Sequence, residues 1–282
     1  MNSRNLINLA LLVLLLLGVF LINNNNEPVK TQRLTALNID RINEIEIPRT
    51  QGNSILFHKN ESSIWTMDKP YNIKAHPFRI NTLLGLTQIP VDKTYDTREL
   101  ELSQYALAPP RASIKFNNTV VNFGKTNPVN NLRYFQVNNK LALVSEQLYP
   151  LVSAQAASFI DLSLLPDNFN INKIETPQAS IQRDNNGQWQ STGTPPLSAD
   201  QIQNLLQNWR STQAFAVHKY LERKQLGKIK IYDKSRNITF TISDTDPWLI
   251  LARPDTGIEY HLDKSQKDRL LFGYTPEGTD DA

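Results

Sequence analysis

The sequence predicts an α+β protein, with an N-terminal transmembrane helix followed by two tandem repeats of an antiparallel sheet with a packed helix. Three observations predict it. The chain opens on an apolar run, it continues as short β-favouring runs separated by turn residues, and the same order of elements recurs about 120 residues further on.

The apolar run, Leu6 to Ile22, is 17 residues long, interrupted only by Asn8 and preceded by Arg4. A spanning helix needs roughly 17 to 25 such residues to cross about 30 Å of hydrocarbon. The competing reading is a cleaved signal peptide, whose apolar region runs about 7 to 15 residues and ends in a small-x-small site. This run ends Val19-Phe20-Leu21-Ile22-Asn23 without such a site, and the chain has no cysteine to carry a lipid. We therefore expect an uncleaved anchor over residues 6–22. Positive charge stays in the cytoplasm, which places residues 1–5 there and the remainder in the bacterial periplasm.

Residues 23–34, with four consecutive asparagines and Pro28, read as a linker. The first repeat is expected over residues 35–160. Its β-favouring runs are Ile42 to Ile47, Ile55 to Phe57 and Ile64 to Met67. A helix follows, with Pro77 suiting its first turn, Ile80, Leu83 and Leu84 on one apolar face, and Pro90 preventing continuation. Leu148 to Ala157 reads as a further helix. The second repeat is expected over residues 161–275, and residues 276–282 as a disordered tail.

The repeat is visible residue by residue. Ile42-Asn43-Glu44-Ile45-Glu46 parallels Ile171-Asn172-Lys173-Ile174-Glu175, and Trp65 parallels Trp189. Ile80, Leu83 and Leu84 parallel Ile202, Leu205 and Leu206, while Ala112 to Phe116 parallels Gly227 to Ile231. Ser198 and Gln201 form a capping box for the second helix, and Trp209 extends its apolar face.

Composition excludes several classes. With 30 basic against 27 acidic groups there is no electrostatic case for nucleic acid, and without cysteine there are no disulfides, thiolate metal sites or cysteine nucleophiles. His58, His76, His218 and His261 are too widely spaced for a helical metal motif. No cofactor or metal is expected. Gly124-Lys125-Thr126 resembles the end of a phosphate loop, yet position 119, where that loop needs glycine, is threonine, and Val120-Val121 reads as strand. Asp244 and Asp246 beside Pro247 read as a turn, and Glu99 and Glu101 as the solvated face of a strand. Trp65 and Trp189 are expected in cores rather than as sugar platforms. The run from His218 to Lys230, with Lys219, Arg223, Lys224, Lys228 and Lys230 against Glu222, is read as a solvated basic face in preference to a contact for lipid headgroups or an acidic partner.

The stretch Tyr105-Ala106-Leu107-Ala108-Pro109-Pro110-Arg111-Ala112, followed by Phe123-Gly124-Lys125-Thr126 and Arg133-Tyr134, is similar to a bacterial family known as domain of unknown function 4340. The similarity in order and spacing covers most of the chain after the anchor. In that family the first motif often reads Tyr-Gly-Leu-Asp-Pro-Pro, and here Ala106 and Ala108 stand at the Gly and Asp positions. The resemblance implies an anchored extracytoplasmic protein, and a partner such as an ABC-type transporter or another envelope protein, because some members are encoded near export or gliding components. Arg111, Lys125 and Arg133 lie in this segment and are the candidate contacts for an anion or partner. The expected function is a non-enzymatic accessory or binding module. The alternative is a periplasmic enzyme acting on envelope polymers, with its site between the repeats.

Overall fold

The computed structural model describes residues 32–193 and 195–273, together with Leu12 and Leu15–Leu17. Apart from those four leucines, which are helical and exposed, the expected anchor over 6–22 lies outside the described residues, as do positions 1–5, most of the linker and the tail. Among the described residues no helix is long and apolar enough to cross a membrane.

The protein is α+β and its strands pair antiparallel. In chain order the first half contributes β1 (Gln32–Arg33), β2 (Glu44–Ile47), β3 (Ile55–Lys59), β4 (Trp65–Lys69), β5 (Ile73–Lys74), helix α1 (Pro77–Gly85), β6 (Pro90–Val91), β7 (Thr94–Asp96), β8 (Ala112–Phe116), β9 (Thr119–Thr126), β10 (Arg133–Val137), β11 (Lys140–Val144) and the short helix α2 (Tyr149–Val152). The second contributes β12 (Lys173–Glu175), β13 (Ala179–Arg183), β14 (Trp189–Gly193), α3 (Ala199–Ser211), β15 (Ala216–Lys219), β16 (Gly227–Tyr232), β17 (Asn237–Asp244), β18 (Trp248–Arg253), β19 (Ile258–Asp263) and α4 (Gln266–Phe272).

The strand order is β5-β4-β3-β2-β8-β9-β10-β11-β7 in one large sheet and β14-β13-β12-β16-β17-β18-β19-β15 in the other, while β1 and β6 pair as a separate two-stranded ribbon. With the two-residue β5 set aside, the orders correspond strand for strand, and in chain order α1 follows β4 and β5 and α2 follows β11, as α3 follows β14 and α4 follows β19. Register agrees as well. Ile45 and Glu46 pair with Phe116 and Lys115, as Ile174 and Glu175 pair with Ile231 and Lys230. Alternation explains the pairing, because Ile45, Phe116, Ile174 and Ile231 are all buried while the intervening charges face out.

Each helix buries the stripe its sequence spacing predicts, Ile80, Leu83 and Leu84 on α1 and Ile202, Leu205, Leu206 and Trp209 on α3. The capping box forms, Ser198 accepting from the Gln201 amide and Gln201 from the Ser198 amide. Trp65 is buried in the core and Trp189 packs at its edge.

Two readings need correction. Leu148 to Ala157 is not one helix: α2 stops at Val152, a turn follows, and Ala156–Phe159 is a 3-10 helix. The reason is that the Arg49 guanidinium takes the Val152 and Ala154 carbonyls, which a continuing helix would use internally. Glu99 and Glu101 do not alternate on a strand. Asp96 caps a 3-10 turn, Thr97–Glu99, by accepting from the Arg98 amide, and Glu101 is the N-cap of another, Leu102–Tyr105.

The segment joining the halves is hydrogen-bonded to both. Asp161 donates its amide to the Lys74 carbonyl, His76 donates to Phe159, and Ala214 donates to Leu162. The two sheets are thus bridged edge to edge, and buried residues of both form one continuous core.

Candidate functional site

Where the bridging segment meets both sheets there is a cleft of about 410 Å³. Its floor is apolar, from Leu164, Leu165, Ile238 and the buried Tyr260, and its rim carries Lys74, Asp161, Arg236 and Arg253. Lys74 Nζ sits 2.7 Å from Asp167 and 3.4 Å from Asp161. Burial acts to lower its pKa, but the two carboxylates outweigh that and raise it. Arg253 grips Asp255 through two bonds of 3.0 and 2.8 Å. Arg236 donates to Asn168 at 2.9 Å and lies over the Phe169 ring. Burial pushes the Tyr260 phenol up to about 12, so it stays a neutral hydroxyl at physiological pH. The cleft therefore offers oriented polar groups over an apolar floor, its charges already matched, which suits recognition of a largely neutral, part-apolar surface.

His76 is the N-cap of α1, beside the bridging segment, and its Nδ1 is buried without a partner. Burial first, then Arg79, depress its pKa. The unfolded chain then takes up a proton near pH 6.5 that the folded chain still refuses, so stability falls as pH drops through that region. Urea unfolding at pH 7.5 and 5.5 is expected to show this loss, and His76→Gln to make it smaller.

The residues singled out in sequence are placed as follows. Arg133 is consumed internally: its Nε bonds Glu146, its Nη1 donates to the Gly124 carbonyl at 2.7 Å, and its guanidinium lies over the Tyr149 ring. Arg111 donates its amide to the Phe123 carbonyl and lines a hollow with Arg49, Pro109 and Pro110. Lys125 lies on β9. Arg111 and Arg133 thus flank consecutive residues of β9, and Arg111 lines the hollow. Gly124 is explained by packing, since a Cβ there would lie 2.4 Å from the Tyr105 carbonyl oxygen. Gly124→Ala is expected to cost roughly 1–3 kcal/mol by forcing that backbone apart, read as a lower urea midpoint.

Asp244 and Asp246 do form a turn, Asp244 accepting the Thr245 and Asp246 amides and Asp246 taking Lys264. His58 pairs with Asp68 on the outer face of the first sheet. His218 and His261 come together, ring centroids 4.5 Å apart.

One residue that sequence reasoning missed holds this last region together. Glu259, buried on β19, accepts from Arg223 at 2.6 and 3.1 Å, from His261 at 2.9 Å and from the Leu221 amide at 3.1 Å. Burial acts to raise its pKa, and these hydrogen bonds outweigh it and hold the carboxyl below its ordinary value. The alternation Ile258-Glu259-Tyr260-His261-Leu262 was the available signal, placing Glu259 and His261 on one face. Of the basic run, Arg223 is thereby neutralised, whereas Lys219, Lys224 and Lys228 are exposed.

A family model described as "Domain of unknown function (DUF4340)" matches residues 65–233. That span runs from β4 through β16 and includes the bridging segment on the cleft wall. No curated protein and no solved structure matches the chain.

Proposed function

We propose, from the premise that the chain belongs to the DUF4340 family, that it is a membrane-anchored, non-enzymatic accessory protein. In this reading residues 6–22 span the bacterial cytoplasmic membrane. Residues 35–160 and 161–275 are copies of one duplicated unit in the periplasm, and the cleft between them receives a transporter subunit or another envelope protein. The cleft is the observation that carries the proposal. Asp161 on its rim and the neighbouring Asp167 both come from the bridging segment and are both held on Lys74. Acids neutralised in this way serve orientation of a bound surface better than proton transfer, which needs a group free to change charge.

The test is crosslinking of the full chain in its native membranes, extracted in mild detergent and read by mass spectrometry beside a control carrying residues 1–34 alone. Crosslinks from cleft residues such as Asn72 and Asn237 to transporter or envelope subunits are expected. Recovery of nothing beyond the control would sink the accessory reading and turn the search to activity on envelope polymers.

A further inference from the structure

We infer that the second unit carries its own membrane-docking surface, made for an anionic bilayer and separate from the cleft. Residues 220–226 form a strap across the outer face of the second sheet. The Tyr220 amide is fixed to the Gly257 carbonyl, Leu221 and Arg223 to the buried Glu259, and the Leu226 amide to the Ile242 carbonyl. A strap pinned this firmly could turn its leucines inward, yet Leu221 and Leu226 are 56% and 52% exposed. Beside it, Phe215 and Trp248 form an edge-to-face pair, centroids 5.1 Å apart, that is itself 54% and 44% exposed. His261 joins the pair to the strap, its ring 6.4 Å from Phe215 and 4.5 Å from His218 and its Nε2 bonded to Glu259.

Charge decides the occupant. Lys219 precedes the strap, Lys224 lies in it and Lys228 follows it, all three exposed, and the strap's own acid is Glu222. Near Trp248, Asp246 is occupied by Lys264 while Asp263 stands opposite on β19. Lysines reaching phosphate, Trp and Phe at headgroup depth and leucines entering the acyl boundary are the distribution of an interfacial element. The apolar groups stand as one ring pair and two strap positions, which can enter between lipids singly. A protein partner would call for one contiguous patch.

Trp248 makes the test direct, because Trp65 and Trp209 are buried and Trp189 half-buried. The full chain is reconstituted in vesicles of phosphatidylcholine alone, or with a quarter phosphatidylglycerol, each containing brominated-chain phosphatidylcholine as quencher. The Trp248 signal is the difference from Trp248→Phe. Quenching is expected in the phosphatidylglycerol vesicles and not in the others. The docked-to-undocked ratio read from it should fall about fivefold for each of Lys219, Lys224 and Lys228 replaced by glutamine, and should collapse in high salt. Unchanged emission from buried Trp209 would certify that the variants are folded. Equal quenching in both vesicles, quenching in neither, or quenching that survives the triple replacement overturns the inference. Crosslinks from position 248 to a protein in native membranes, without lipid quenching, overturn it too and assign the surface to a protein. Vesicle flotation of the same samples reports the anchor independently, so failure of one reading is distinguishable from failure of the other.

Discussion

Glu146→Ala is expected to destabilise the protein by about 3–5 kcal/mol, the cost of leaving a buried charge without its partner. The Glu146 side chain is 1% exposed and that of Arg133 is 14% exposed. Glu146 also accepts the Leu148 and Tyr149 amides that open α2, so its removal leaves two further donors unmatched. The partner substitution separates the causes. Arg133→Leu with Glu146 intact strands a carboxylate, although the two amides still satisfy part of it, and should cost less than Glu146→Ala. Arg133→Leu combined with Glu146→Leu removes both charges and should recover much of the loss, since paired burial contributes less than its breakage costs. Urea unfolding of these variants together with Glu146→Leu alone completes the cycle. If Glu146→Ala left the midpoint where it is, Arg133 would have to be free to reach solvent, and its standing as a ligand contact would return.

The contrast between the two halves of that motif shows what the sequence could and could not tell. Arg111 and Arg133 were visible as charged residues in a family-like segment, but nothing local announced that Glu146, 13 residues along, would claim one of them. The same segment yields one point more readily. Ala106 adopts φ 54°, a left-handed conformation that costs an L-residue roughly 1–2 kcal/mol and that glycine adopts freely, so a glycine at this position in related sequences has a backbone reason. Elements governed by short periods were legible: the stripes of α1 and α3, the capping box, and the parallel between β2 and β12, where alternation fixes the buried face. The cleft was not, because Lys74, Asp161, Arg236 and Arg253 come from four separate segments that meet only once the bridging segment bonds to both sheets. Helix length after β11 was misread because Arg49, about a hundred residues earlier, decides where α2 ends.

Trp209→Ala is expected to be comparably severe, about 3–5 kcal/mol for a fully buried aromatic. The ring is 0% exposed, lies 5.4 Å from Phe240, and its Nε1 donates to the Leu270 carbonyl at 3.0 Å. That bond ties α3 to α4, a tie reinforced when Asn208 donates to the Arg269 carbonyl at 3.1 Å. Trp209→Phe keeps most of the apolar area and drops the donor, so it should cost less, with the difference measuring the volume lost. The more informative readout is the shape of the transition. The bridging segment is bonded to both sheets and their buried residues form one core, so damage at α3 should lower the stability of the first sheet as much as the second. Thermal unfolding followed both by tryptophan emission and by amide exchange in β8 to β10 should then report a single coincident transition in Trp209→Ala. Two separated transitions, with β8 to β10 holding at the original midpoint, would show that each sheet carries its own stability and that the bridging hydrogen bonds join the units without coupling their unfolding.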